Sequence, residues 1–188
     1  MQNRISSASK HHPLHSRRRL VRLPLNAQRF LAAFEGLEGG FAIGASVLVA
    51  LSFAGLDRSV LLASVVVAII VNGFNNASVK YSSEHFLDEL DGREKHSAFK
   101  HYFIPSLIEF VSYFAISFIS IVPLLIVDNL NHAVLMSVLT TLLILYLAGY
   151  WRAYMLQMSS RRDALETLLL GAGIILVGLI SGYVTHLF

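Results

Sequence analysis

Three glutamates lie inside stretches of sequence that are otherwise apolar. Glu35 and Glu38 are three residues apart in one stretch, and Glu109 lies in another. Side chains three residues apart share one face of a helix. An ionisable side chain at the centre of a bilayer costs roughly 2.5 to 3.5 kcal/mol on insertion scales, so such residues usually face a pore, a partner or a binding site. These carboxylates are the first candidates for chemistry.

A second polar set consists of three asparagines in another apolar stretch. Their spacing of i, i+3 and i+4 also places them on one helical face. Carboxylates offset the charge of a hard or borderline divalent cation, and amide carbonyls complete an oxygen shell. The two sets together predict a metal-ion path lined by Glu35, Glu38, Asn72, Asn75, Asn76 and Glu109. In the alternative interpretation these groups only join helices through hydrogen bonds, as in a membrane scaffold or assembly subunit.

The elements that position these residues are five apolar runs, each near the roughly 20 residues that a helix needs to cross a bilayer. The chain is 55% hydrophobic and 14% charged, against roughly 25% charged in soluble domains. We therefore predict an all-α integral membrane bundle of five transmembrane helices within residues 29–188. The predicted spans are 30–54, 60–79, 102–127, 133–151 and 165–187.

The candidate residues share one depth in these spans. At about 1.5 Å of rise per residue, Glu38 and Glu109 lie ~13.5 Å inward from their flanking cations, and Asn72 lies ~12 Å inward from Lys80. The carboxylates and the amides are thus expected to meet in one layer.

The distribution of Lys and Arg predicts the orientation. Residues 1–29, 80–101 and 152–162 hold 14 of the 15, which leaves Arg58 alone on the opposite side. By the positive-inside rule, the amino terminus lies in the cytoplasm and the carboxyl terminus on the far side. We expect the bacterial plasma membrane as the location.

Residues 1–28 are predicted to form a disordered, basic cytoplasmic arm. They contain no acidic residue, and Pro13 and Pro24 would interrupt any helix. The arm lacks the apolar stretch of a secretory signal, but a mitochondrial presequence has a similar composition.

After the second span, acidic and histidine side chains repeat in the predicted cytoplasmic segment. That segment is either a surface amphipathic helix or a place where metal gathers, and its residues are Glu84, His85, Asp88, Glu89, Asp91 and His96.

Glycines repeat every four residues in the first span, at Gly36, Gly40 and Gly44, and in the fifth, at Gly178 and Gly182. Such repeats permit close helix approach, so the first span is predicted at a packing centre. Close packing beside Glu35 also fits a symmetric pore between two chains, which predicts a homodimer.

Several function classes are excluded by missing motifs. The sequence has no cysteine, no His-Glu-x-x-His pair, no Gly-x-Ser-x-Gly and no aspartate dyad. We therefore predict no enzyme and no cofactor. Nucleic-acid binding is not expected either, because the basic residues follow membrane topology.

The order of these features resembles the vacuolar iron transporter family. EGLEGGFAIGASV at 35–47 is similar to that family's DGLVSTFALVAGV-type signature, with Glu35 in place of its transport aspartate. NGFNNASVKYSSEHF at 72–86 resembles the segment that runs into a Lys-Ser-Glu stretch, and Lys80 aligns with that lysine. FISIVPLLIV at 118–127 and the glycine-rich final span resemble the family's third-span proline motif and closing span.

The resemblance implies a five-span transporter that exports ferrous iron or manganese from the cytoplasm, with proton exchange. Two differences from the family bear on the ion. Asparagines replace the family's methionine, and the cytoplasmic segment is too short for its multi-helix metal-binding domain. Oxygen ligands alone favour manganese or other hard cations over ferrous iron.

Overall fold

A computed structural model describes residues 27–93 and 97–187. Residues 1–26 of the predicted arm and His96 lie outside the described residues. Those described contain no strand and form five helices, each long and apolar enough to cross a membrane. The all-α prediction is confirmed. The helices are α1 (Ala27–Ser52), α2 (Arg58–Leu90), α3 (Ile104–Ile126), α4 (Leu130–Met155) and α5 (Ser160–His186).

Short turns connect the helices on the predicted non-cytoplasmic side. Gly55 has a φ of +63° in the α1–α2 turn, a left-handed conformation that glycine adopts without steric cost. Between α3 and α4, the Asn129 side chain accepts a hydrogen bond from the backbone N–H of His132 at 3.2 Å. This N-cap bond satisfies one of the free N–H groups at the start of α4.

The second helix continues well past residue 79, where the predicted membrane span ends. It reaches Leu90 and contains 33 residues, a length of about 50 Å against a hydrocarbon core of about 30 Å. Residues 80–90 are therefore a continuation of α2 and not a separate surface helix. This extension carries Glu84, His85, Asp88 and Glu89.

Helix α1 lies at the centre of the bundle and contacts all four other helices. Its glycine face packs directly on α3: a Cβ on Gly40 would lie 2.5 Å from the carbonyl oxygen of Tyr113. Gly178 and Gly182 of α5 pack on the α1 backbone in the same way. The predicted packing centre is confirmed. Because these glycines make contacts within the chain, they are not available to a second copy.

A wide turn precedes α3, and a proline explains it. Residues Phe99–Phe103 form a π-helical turn, and Pro105 follows at the start of α3. Proline has no N–H, so the carbonyl of His101 lacks its usual helical partner. The Gln28 side chain of α1 donates to that carbonyl at 2.9 Å instead. This bond connects the start of the first helix to the start of the third.

The single cation on the predicted non-cytoplasmic side has a structural role. The Arg58 guanidinium donates to the carbonyls of Leu124, Val127 (2.8 Å) and Asp128 (3.3 Å) at the end of α3. The last carbonyls of a helix have no partner within it. A cation near a helix carboxyl terminus also interacts favourably with the helix dipole. Arg58 therefore joins the start of α2 to the end of α3.

Replacing Arg58 by methionine should lower the free energy of unfolding by about 1 to 3 kcal/mol, because carbonyls at the end of α3, two of them in part-buried bonds, lose a charged donor. Arg93→Met is the matched control, since Arg93 pairs with Asp91 at an exposed site where an ion pair is worth about 0 to 1 kcal/mol. Thermal unfolding in detergent measures both. Equal losses in the two variants would contradict the capping role.

The orientation is testable by fusing reporters to the chain. The charge asymmetry predicts that a reporter after Phe188 lies on the non-cytoplasmic side and one inserted at Gly92 lies in the cytoplasm. Gly92 lies in the turn after α2, with nothing within 4 Å of a Cβ built there, so an insertion is tolerated. Reporters on the same side would contradict this topology.

Candidate functional site

Three carboxylates from three helices surround one ammonium at the predicted cytoplasmic end of the bundle. Lys80 of α2 pairs with Glu35 of α1, and its Nζ lies 3.2 Å from Glu84 Oε1 and 3.9 Å from Glu109 Oε2. We call these four residues the Lys80 cluster. With all four groups ionised, its formal charge is −2.

Glu109 is the most deeply buried carboxylate of the Lys80 cluster. Its side chain is 10% exposed, against 28% for Glu84 and 51% for Glu35. Within the described part of the chain, Glu109 Oε2 has no hydrogen-bond partner. A buried polar atom without a partner carries a free-energy cost. Such atoms are rare in native structures and call for an explanation.

The start of α1 supports the Lys80 cluster through the side chain of Gln28. Gln28 Nε2 donates to Glu84 Oε2 at 2.8 Å as well as to the carbonyl of His101. Tyr102, in the π-helical turn, donates its hydroxyl to Asp88 one turn beyond Glu84 at 3.0 Å. The orientation of Glu84 is therefore fixed by groups on α1 and α2. The extension of α2 is fixed by the segment before α3.

One helical turn deeper, a tyrosine ring fills the space between α1 and α2. A Cβ on Gly39 would lie 3.4 Å from the Tyr113 ring, and one on Gly73 would lie 2.7 Å from it. The Asn76 amide nitrogen is 3.8 Å from the same Gly39 position. Tyr113 is 1% exposed. Gly39 and Tyr113 follow Glu35 and Glu109 by four residues, and Asn76 precedes Lys80 by four on the oppositely directed α2. These three residues therefore form a second layer that closes the bundle beneath the Lys80 cluster.

Glu38 lies in a different group of charges. It pairs with Arg152 of α4 at 2.5 Å, and Arg152 also contacts Asp163 at 3.1 Å and Thr167 Oγ1 at 3.3 Å. We call Glu38, Arg152, Asp163 and Thr167 the Arg152 cluster. It connects α1 to the predicted cytoplasmic ends of α4 and α5. The structure thus separates Glu38 from Glu35 and Glu109, which the depth argument had grouped together.

The three asparagines also separate. Asn76 faces α1 below the Lys80 cluster, whereas Asn75 is exposed. Asn72 is partly exposed and lines a shallow groove formed by α2 residues on the outer surface of the bundle. Of the six residues predicted for the metal path, the structure brings together Glu35 and Glu109, with Asn76 one turn deeper.

Sequence reasoning did not include Lys80 and Glu84 in the site. Glu84 had been grouped with Asp88 and Asp91, but Asp91 is exposed and pairs with Arg93. Over residues 27–93 and 97–187, no group of three His, Asp or Glu side chains is arranged to hold a metal ion. The ammonium of Lys80 lies among the carboxylates instead. The i, i+4 spacing of Lys80 and Glu84 was the available signal, because such pairs meet on a helix.

Comparison with protein-family models matches residues 80–183 to the VIT family. The match covers more than half of the chain and includes helices α3 and α4 entirely. The chain belongs to the vacuolar iron transporter (VIT) family. The match confirms the family resemblance that the sequence indicates, although the first-span signature at 35–47 lies outside the matched residues. The comparison with curated proteins gives no match.

Membership of the VIT family assigns the chain to the membrane transporters of divalent metal ions. It agrees with the five apolar helices, so the protein is an integral membrane protein. The family's members are transporters and not enzymes, which is consistent with the absence of catalytic motifs from the sequence. Within this VIT-family chain, the Lys80 cluster is the place where acidic side chains from three helices converge on a cation.

Proposed function

We propose that this VIT-family protein exports a divalent cation, manganese or ferrous iron, from the cytoplasm. The observation that carries the proposal is the convergence of Glu35, Glu84 and Glu109 around Lys80. Carboxylates are the ligands that compensate the charge of a divalent ion in a low-dielectric environment. Their position at the predicted cytoplasmic end makes them the loading site.

The choice of ion follows from the ligand atoms. The carboxylates of the Lys80 cluster and the amide carbonyl of Asn76 supply only oxygen ligands, and the sequence has no cysteine. Soft ions prefer sulfur ligands, whereas manganese and magnesium are suited by oxygen. We therefore infer that manganese is preferred over ferrous iron. Asn76 is the amide that an ion leaving the carboxylates would meet next.

The described conformation is closed beneath the loading site by Tyr113, whose ring fills the gap between Gly39 and Gly73. Passage of an ion requires that α1 and α2 separate from Tyr113. We propose that the site then opens to the far side, where the ion leaves and protons take its place on the carboxylates. Protonation would neutralise the acidic groups for the return step, which is how proton exchange would be coupled to export.

Glu38 serves another purpose in this proposal. Because it pairs with Arg152 at 2.5 Å and faces α4 and α5, we assign the Arg152 cluster to fixing α1 against those helices. α2 and α3 would then move relative to an immobile unit of α1, α4 and α5.

We also propose that two copies associate through the outer face of α2. Asn75 is exposed and Asn72 is partly exposed on that face, although they lie deep within an apolar helix. An amide side chain facing lipid lacks hydrogen-bond partners, and amides of this kind join membrane helices. A second chain packed there would cover both asparagines and would border the exposed side of Glu35.

Ion flux into sealed vesicles tests the proposed function. Purified protein is reconstituted, and entry of Mn²⁺, Fe²⁺ and Co²⁺ is followed with a dye trapped inside the vesicles. We expect flux of Mn²⁺ above that of Fe²⁺ and accelerated by an opposing proton gradient. Protein-free vesicles give the background. Flux equal to that background for all three ions would contradict a transport function.

A further inference from the structure

The position of the Lys80 ammonium bears on how a metal ion enters the site. The cation contacts the carboxylates of all three contributing helices, and its side chain is only 13% exposed. Lysine is rarely buried to this degree unless it is paired. Here the pairing is with the same oxygens that the proposed function assigns to the transported ion.

The ammonium and a divalent ion cannot occupy the Lys80 cluster together. A metal ion binds carboxylate oxygens at roughly 2.0 to 2.6 Å, whereas Lys80 Nζ lies 3.2 Å from Glu84 and 3.9 Å from Glu109. A metal that contacted those oxygens would therefore be within a few ångströms of a like charge. Repulsion at such distances is strong where water is excluded.

We propose that Lys80 is a tethered cation, which fills the carboxylate site when no metal is bound and is displaced by the arriving divalent ion. This inference rests on the proposed function. The four-carbon stem of lysine allows the ammonium to turn toward the cytoplasm without moving α2. Displacement leaves three carboxylates free to close around the metal.

The tethered cation has two consequences for transport. A resident ammonium is present at a high effective concentration, so a weakly bound monovalent ion does not replace it. After the return step, when the carboxyl groups release their protons to the cytoplasm, the ammonium returns and compensates three carboxylates that would otherwise repel one another. Lys80 thus both raises the threshold for ion entry and stabilises the empty site.

Equilibrium binding of Mn²⁺ to the full chain in detergent tests the competition. Lys80→Met retains the length of the side chain and removes the charge, so we expect Mn²⁺ to bind at least about 10-fold more tightly. Lys80→Arg is the matched control, because a guanidinium group binds carboxylates in a bidentate manner. This variant should bind Mn²⁺ no more tightly than the natural chain. Unchanged or weaker binding in Lys80→Met would overturn the proposal.

Acetylation of lysine side chains in the natural chain provides a second test that does not depend on folding of a variant. Mn²⁺ at saturation should increase the rate of Lys80 modification, measured by mass spectrometry, since the displaced amine becomes accessible. Lys100 is exposed in the turn before α3 and should react at the same rate with and without Mn²⁺. A Lys80 rate that Mn²⁺ leaves unchanged or lowers would overturn the displacement.

Failure of this inference is distinguishable from failure of the proposed function. If the natural chain binds and transports Mn²⁺ while Lys80→Met shows no gain in affinity, only the tethered-cation role is wrong. If neither chain binds Mn²⁺ or Fe²⁺, both proposals are wrong.

Discussion

Replacing Glu109 by glutamine is expected to lower Mn²⁺ flux at least about 100-fold, which corresponds to roughly 2.7 kcal/mol of lost stabilisation of the ion in transit. Glutamine retains the size of the side chain and its capacity to accept hydrogen bonds, but it removes one negative charge. The side chain of Glu109 is buried, so water does not compensate for that charge. Flux in sealed vesicles, normalised to the amount of inserted protein, measures the effect.

Two other glutamates serve as controls for this experiment. Glu166→Gln changes an exposed side chain at the start of α5 and should leave both flux and stability unchanged. Glu38→Gln should instead lower stability, because Arg152 loses one of its two carboxylate partners, while the Lys80 cluster remains complete. Undiminished flux in the Glu109→Gln variant would end the assignment of Glu109 to the ion path. It would favour the alternative of a scaffold in which polar groups only join helices.

Replacing Gly40 by alanine is expected to cost at least about 2 kcal/mol of stability, near the upper part of the range for overpacked cores. The added Cβ would lie 2.5 Å from the carbonyl oxygen of Tyr113 and 3.0 Å from Ser117 Oγ. The first of these atoms belongs to the backbone of α3, so no side-chain rotation relieves the clash. The helices must move apart, and the Ser117 hydroxyl, which donates to the Gly40 carbonyl at 3.0 Å, loses its position.

Gly173→Ala is the matched control for this change. Gly173 lies in the middle of α5, and nothing is within 4 Å of a Cβ built there. Alanine has a higher helix propensity than glycine by about 1 kcal/mol in a helix interior, so this variant should be as stable as the natural chain or more so. Thermal unfolding in detergent compares the two. A Gly40→Ala variant as stable as Gly173→Ala would contradict the close α1–α3 packing.

The sequence by itself determined the number and type of the elements. A backbone in lipid must form hydrogen bonds between its own N–H and C=O groups. Five apolar runs of spanning length therefore form five helices, whatever their arrangement in the bundle. The glycine repeats likewise identified α1 as the packing centre, because only glycine permits a carbonyl of α3 as close as that of Tyr113. The helix α2 continues beyond the predicted span, since polar residues after Val79 terminate an apolar run but do not terminate a helix.

Tertiary structure alone decided which polar residues meet. Glu35 and Glu38 are three residues apart and differ by about 60° around the axis of α1. On a helix exposed to lipid on one side, that difference would keep both on one face. Because α1 is surrounded by all four other helices, the same difference directs Glu35 to Lys80 and Glu38 to Arg152. Depth follows from counting residues along one helix, whereas the neighbour at that depth depends on how the other helices pack around it.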